Sequence, residues 1–367
     1  MGKRPPAPLY IIRSHESSIS KVSFNRNSDC ILSADDDGVV VITSTKTMRS
    51  SRRRSFINAS NWFITLFTAH NRRHGRDNLV KLWEIGDIHT EEDIIPNLID
   101  RFHVNALNFC NVSLCVGPPT WLAAPHLTDS STIDIWEIPS KERIFRSIGG
   151  EERGVDGRGE SKTGLCMSLK LYRHADTHRL LAAYEDGSVV LYHLENMTWK
   201  ELWRVKKHNE AVMGLCTTSD LRYAFTVSVD RCIVNSVHDD KEYESDETMI
   251  IDSSEKITEH TAKMPITKSY TTQSNGHSSI SVRKDSKILA VGCWNGSVEL
   301  YSAKSMKLVG VLDLHRQSVS SLAFSTVDED TSETDEDNLN SVIEAPLSSL
   351  LLTGARDDRI AIYQIDL

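Results

Sequence analysis

A short unit recurs along the whole chain: an acidic or small polar residue, two turn residues, an aliphatic, any residue, an aliphatic and often an aromatic. It reads DGVVVIT from Asp37, DNLVKLW from Asp77, SSTIDIW from Ser130 and DGSVVLY from Asp186. It returns as DRCIVNS from Asp230, NGSVELY from Asn295 and DDRIAIY from Asp357. Asp-Gly-type turns feeding period-2 apolar strands are the strongest short-range hairpin signal. Start-to-start spacings run from 40 to 65 residues, so the repeat predicts a radial array of small sheets, the longer spacings carrying inserted loops. Apolar runs such as CILSA, RLLAAY, YAFTVS, KILAVGC and LLLTGA stand just before five of the turns. No helical periodicity of comparable length competes. The same reading disposes of a catalytic one. The grouping His74-Gly75-Arg76-Asp77 has the letters of a kinase catalytic loop, but no Gly-rich phosphate loop or strand lysine accompanies it. Asp77 is therefore one turn residue among seven.

The repeat resembles the WD-repeat family, and the fold class expected is all-β, a seven-bladed WD40 β-propeller. In that family a buried His, a Ser or Thr, the turn Asp and a terminal Trp form a hydrogen-bond relay inside a blade. Carried over by position, the fifth copy comes closest with His208, Ser228 and Asp230, although Ser236 replaces the aromatic. His15 and His315 precede comparable inner strands, and only Trp83 and Trp136 supply the terminal Trp. The expected relay and turn residues are thus Asp37, Asp77, Asp186, Asp230, Asn295, Asp357, His15, His208, Ser228, His315, Trp83 and Trp136. Blade cores are expected near 15–43, 44–83, 100–138, 164–194, 203–236, 265–301 and 308–365, in one propeller spanning 1–367. The last strand, RIAIYQI, ends two residues before Leu367. The segment Pro8 to His15 alternates suitably to supply the outer strand of the last blade, so the N-terminal strand is expected to close it.

Composition bounds the function. The chain has 367 residues, 39% hydrophobic and 25% charged, so it can bury a core. Its net charge is −9, which argues against direct nucleic-acid binding. No apolar run approaches the roughly 20 residues that span a bilayer, so no membrane partner is expected. Seven scattered cysteines suit reduced thiols in cytosol or nucleus better than a disulfide framework. Cys110 and Cys115 have no second pair at zinc spacing, and His70 and His74 do not sit on a plausible helix. No nucleophile elbow, H-E-x-x-H or P-loop occurs. Neither a catalytic residue, a resident metal nor a cofactor is expected.

Charge is unevenly spread. Residues 43–76 hold eight Lys or Arg and no acid, whereas 328–337, DEDTSETDED, holds seven acids. Three polar inserts are expected, at 149–164, 236–262 and 325–346. Segment 43–73 lacks the usual His-turn and inner strand, which leaves three readings: a diverged blade with a basic loop, a flexible regulatory insert phosphorylated at Arg52-Arg53-Arg54-Ser55, or a translated sequence error such as paired frameshifts that preserve length. The basic loop and the acidic one could project from one face of adjacent blades as a weak, salt-screened tether.

PPAPLYIIRSH, ADDDGVV, HGRDNLVKLWEI and AVGCWNGSVELYS are together similar to a small fungal group, the WD-repeat ASTRA-associated proteins, akin to the G-protein-β-like proteins of animals. The resemblance implies a non-enzymatic scaffold subunit of the ASTRA complex, in the nucleus, linked to chromatin remodelling. It also implies partners: a PI3-kinase-related protein, cochaperones of the telomere-maintenance type and RuvB-like ATPases. Arg76, in the distinctive HGRDN motif, is the candidate contact residue. The rival reading is a substrate receptor of a cullin-type ubiquitin ligase. Those receptors carry Arg or Lys two residues after a Trp-Asp pair, where this chain has Gly86 and Pro139. A Gβ-like signalling adaptor ranks third.

Overall fold

The computed structural model describes residues 6–25, 28–54, 63–64, 70–71, 75–76, 79–84, 97–103, 110, 112–138, 140–150, 163–237, 243–245, 263–326 and 349–366. At 51–84, 97–100, 102–103, 243–245 and 263–264 only the backbone is described. The chain is an all-β WD-type propeller: among the described residues there are six four-stranded antiparallel sheets, one three-stranded sheet and two two-stranded hairpins. The chain divides into two compact bodies, Met1–Leu107 with Thr272–Leu367, and Asn108–Thr271.

The first body holds blades one, two, six and seven. Blade one is built from Ile19–Phe24, Cys30–Asp35, Val39–Ser44 and Ser50–Arg54. Blade two shows Phe63–Ile64, Leu79–Glu84 and Asn97–His103. Blade six is His277–Val282, Ile288–Cys293, Val298–Ser302 and Leu308–Leu312. Blade seven takes three strands from the end of the chain, Ser321–Phe324, Leu350–Gly354 and Ile360–Gln364, and its fourth from the beginning, Tyr10–Ile12. Tyr10 pairs with Ile362 and Ile12 with Ile360, and the Leu9 amide donates to the Ile362 carbonyl at 2.7 Å. The N-terminal strand therefore completes the last blade, as the alternation in its sequence implies.

The second body holds blades three, four and five. Blade three is Ser113–Cys115, Thr120–Pro125, Ile133–Ile138 and Arg143–Ile148. Blade four is Cys166–His174, Thr177–Tyr184, Ser188–Glu195 and Thr198–Lys206. Blade five is Val212–Thr217, Tyr223–Ser228, Cys232–Val237 and, after a long insertion, Thr267–Thr271. Sheets and sequence copies are out of phase by one strand. Ranges 203–236 and 308–365 each start on the outer strand of the preceding blade, and the Arg52-Arg53-Arg54 run lies on the outer strand of blade one, not in a loop. The acidic run 328–337 and most of the inserts, 151–162, 246–262 and 327–346, lie outside the described residues.

Packing explains why the second and third strands of a blade are apolar almost throughout. They are covered on both faces, so every residue of Cys30–Asp35 and Ile288–Cys293 is buried. The period-2 alternation sends neighbours to different cores. Leu350, Leu352, Ile360 and Ile362 face blade one, with Ile12, Ile19 and Val22, whereas Leu351, Ala361 and Tyr363 face blade six, with Ala290 and Leu300. In the second body Leu180, Ala182 and Tyr184 pack toward blade three, and Leu181 and Ala183 toward blade five. Outer strands such as Thr198–Lys206 are wet on one side and read as mixed. Inner strands are also tied by hydroxyls: Ser321 Oγ accepts from the Val22 amide at 3.1 Å, and Ser113 Oγ from the Leu171 amide at 2.8 Å. In blades one, four, five and six a bulge follows the first paired residue of the inner strand. Such a bulge re-aims side chains beside the turn.

Candidate functional site

The three expected histidines each bridge a carboxylate and a hydroxyl, without the terminal Trp of the full relay. His208 Nδ1 donates to the Asp230 carboxylate at 3.0 Å, and its Nε2 lies 3.0 Å from Thr226 Oγ1. His315 makes the same pair of bonds to Asp357 at 3.0 Å and Thr353 at 2.8 Å. A carboxylate can only accept, so Nδ1 carries the proton, and in the neutral ring Nε2 accepts the hydroxyl hydrogen. The relay hydroxyl of blade five is therefore Thr226, not Ser228. Ser228, one pleat nearer the turn on the same strand, donates instead to the Glu210 carbonyl at 2.9 Å. Asp230 and Asp357 also accept from the amides of Asn209 and Arg316, fixing the backbone just after each His.

Blade one departs from the expected assignment. His15 Nδ1 donates to Asp35 at 2.8 Å and Nε2 contacts Ser33 Oγ at 2.8 Å. Asp35 further accepts from the amides of Asp37 and Val39. Asp37, assigned to the relay from its place in the turn, is exposed at the tip. The carboxylate two residues earlier takes over both its tasks, because the end of a buried strand faces the His and the tip faces water.

The remaining turn residues act locally. Asp186 accepts from the amide and hydroxyl of Ser188 at 2.9 and 2.6 Å and lies 3.6 Å from Lys206 Nζ. Asn295 accepts from the amide and hydroxyl of Ser297 at 3.0 and 2.7 Å. Both are side-chain turns of the Asx type. Trp136 is buried on the third strand of blade three, opposite Leu122. Beside it Asp134, wholly buried, accepts from Arg143 Nη1 at 2.9 Å and from the Ser147 amide at 2.9 Å, an ion pair that the sequence did not announce. Trp83 lies on the second-blade strand that pairs with Phe63 and Leu98. Arg76 pairs through its backbone with His70. Asp77, and the side chains of Trp83 and Arg76, lie outside what the structure describes.

Turn glycines link one blade to the next. Gly187 and Gly296 have φ of +88° and +93°, and a Cβ on either would stand 2.3 or 2.4 Å from the carbonyl oxygen of His208 or His315. The relay His of the following blade thus rests its backbone on the turn of the blade before it. Gly296→Ala is expected to cost about 2–4 kcal/mol, adding left-handed strain to the forced displacement of a backbone carbonyl. Denaturant unfolding checks this, and a loss below about 1 kcal/mol would show that the turn yields freely.

Burial holds the pKa of His315 below its ordinary value of 6.5, against the opposing pull of Asp357. The unfolded chain then binds the extra proton more readily than the folded one. This part of the stability is complete above pH 6.5 and is lost as pH falls from there toward the folded value. The unfolding midpoint, followed from pH 7.5 to 5.5, should fall, and less steeply in His315→Gln. Equal slopes would place the titration elsewhere.

The chain is similar to known proteins over most of its length. The family described as "WD domain, G-beta repeat" matches residues 6–44. An ASTRA-associated protein 1 of Verticillium alfalfae is 25% identical over 350 residues, covering 88% of this chain and 79% of the relative. That of Schizosaccharomyces japonicus is 24% identical, covering 98% and 99%. The mouse guanine nucleotide-binding protein subunit beta-like protein 1 is also 24% identical, covering 98% and 97%.

Proposed function

We propose that this WD-repeat chain, similar along nearly its whole length to the ASTRA-associated proteins, is a non-enzymatic scaffold subunit of an ASTRA-type complex in the nucleus. In this role it holds a PI3-kinase-related protein together with telomere-maintenance-type cochaperones and RuvB-like ATPases, and so serves chromatin remodelling and the assembly of such kinases. The observation that carries the reading is end-to-end similarity to relatives whose names speak of ASTRA association.

The chemistry of the blades supports a scaffold. His15, His208 and His315 use both ring nitrogens inside their own blades, where they staple strands together. The relay carboxylates are likewise committed to backbone amides. A net charge of −9 disfavours a phosphate backbone as the direct partner. A blade array offers loop-built faces wide enough for interfaces of about 800 Å² per partner.

Affinity purification of the tagged chain from its own cells, with nuclease added, tests the proposal. Recovery of a PI3-kinase-related protein with cochaperones and RuvB-like ATPases, insensitive to nuclease, is the expected result. Recovery of a cullin adaptor instead, or loss of every partner with nuclease, would overturn it. Arg76→Glu then asks whether the HGRDN motif makes a contact: partners lost at unchanged melting temperature place one there.

A further inference from the structure

Blade six lacks the relay found in blades one, five and seven. His15 precedes the first turn residue, Asp37, by 22 positions, and His208 precedes Asp230 by the same step, which counted back from Asn295 reaches Gln273. The relay hydroxyls Ser33, Thr226 and Thr353 stand four residues before their turns, and that place in blade six holds Val291. A different set of polar groups occupies this blade. His277 and Cys293 are direct cross-strand partners on the first and second strands. Glu299, on the third strand, lies opposite Val291, two residues from Cys293. Period-2 alternation therefore puts Cys293, Val291 and Glu299 on one face of the sheet.

The three side chains are sealed from solvent, at 0%, 0% and 2% relative exposure. One donor atom from each lies within 4.8 Å of the other two. The surroundings also orient them. Thr272 Oγ1 donates to the Ser274 carbonyl at 3.1 Å and lies 3.0 Å from His277 Nε2. A hydroxyl whose hydrogen goes to a carbonyl accepts from Nε2–H, so Nδ1 is the unprotonated nitrogen of the neutral ring. Glu299 accepts from Ser274 Oγ at 2.6 Å and from the Tyr301 hydroxyl. It ion-pairs with no Lys or Arg among the described residues. A carboxylate buried with neutral donors alone is unfavourable unless it takes up a proton or a positive charge accompanies it.

We propose that His277, Cys293 and Glu299 form a structural zinc site that fastens the three inner strands of blade six where the usual relay is missing. Imidazole nitrogen, thiolate sulfur and carboxylate oxygen are a zinc donor set. Metal–donor bonds of about 2.0–2.3 Å in a tetrahedron place ligand atoms about 3.5 Å apart, a small closure from the distances present. The Zn–S bond replaces the S–H bond of Cys293, and the displaced proton leaves to solvent. Thr272 holds the far nitrogen of His277, and Ser274 and Tyr301 hold Glu299, which is the outer-shell support that metal ligands ordinarily have. The site is independent of the scaffold reading.

Titration of the full, metal-stripped chain with cobalt(II) alone tests it. The expected result is a thiolate-to-cobalt charge-transfer band saturating at one equivalent, bleached by zinc(II). The band should be lost in Cys293→Ala and kept in Cys232→Ala, a cysteine outside the site. Zinc should also raise the melting temperature of the wild-type chain, so the proposal stays testable if the variant does not fold. No thiolate band at one equivalent, a band that survives Cys293→Ala, or a melting temperature unmoved by zinc would overturn it. The cluster would then be a metal-free hydrogen-bond network.

Discussion

Deletion of residues 1–14 is expected to destabilise the protein by at least about 5 kcal/mol, or to abolish a cooperative unfolding transition altogether. The segment removed is the outer strand of blade seven. Ile12 is buried among Ile19, Val22, Ile360 and Ile362, and burying such a side chain is worth about 1.5–3 kcal/mol. Losing Tyr10–Ile12 also strips the ladder from Ile360–Gln364, whose unpaired groups become an apolar edge open to other chains. Urea unfolding with light scattering measures both consequences. A truncated chain that unfolds within about 1 kcal/mol of the full one, without aggregating, would show that the strand is dispensable. Ile12→Asp tests the same contact at constant length and should cost about 4–5 kcal/mol by burying an unpaired charge. Leu9→Asp, at a position 44% exposed, should stay within about 0.5 kcal/mol.

The second large effect separates two neighbouring aspartates. Asp35→Ala is expected to cost about 3–5 kcal/mol, because it removes the partner of a buried His and orphans the amides of Asp37 and Val39. Asp37→Ala should cost under about 1 kcal/mol, since its side chain is at the exposed tip. Position in the repeat assigns the opposite order. Chemical denaturation of the two variants side by side decides, and equal losses would mean that the first blade shares its relay between both carboxylates.

That reversal shows what the sequence disclosed and what it hid. The alternation of VVVIT, VVLY and IAIY disclosed the strands, because side-chain period and strand geometry are the same fact. The closing strand was legible for the same reason, since YII has the pattern that an unfilled ladder beside RIAIYQI requires. Which polar residue faces the histidine was less legible, because it depends on register, and one step along a strand turns a side chain to the other face. Carry-over by position points to Ser228, yet Ser33, Thr226 and Thr353 all stand four residues before their turns, a spacing that only comparison between copies reveals. Asp35 and Glu299 carried no such sign. Each follows from a bulge or a cross-strand neighbour that one copy of the motif does not contain. Asp134 and Arg143 meet across two strands of blade three, a pairing set by the hairpin register.

The pairing of Tyr10–Ile12 with Ile360–Gln364 also sets a schedule for the nascent chain. The two partners are separated by about 350 residues, and at roughly 5–20 residues per second their syntheses are about 20–70 s apart. Throughout that interval an apolar strand waits without its mate while five or six blades form behind it. Blade one can pack fully only after blade seven exists, since Ile19 and Val22 rest on Leu350 and Leu352. Until Ile360–Gln364 is made, the partner side of Tyr10–Ile12 stays open to whatever else is apolar.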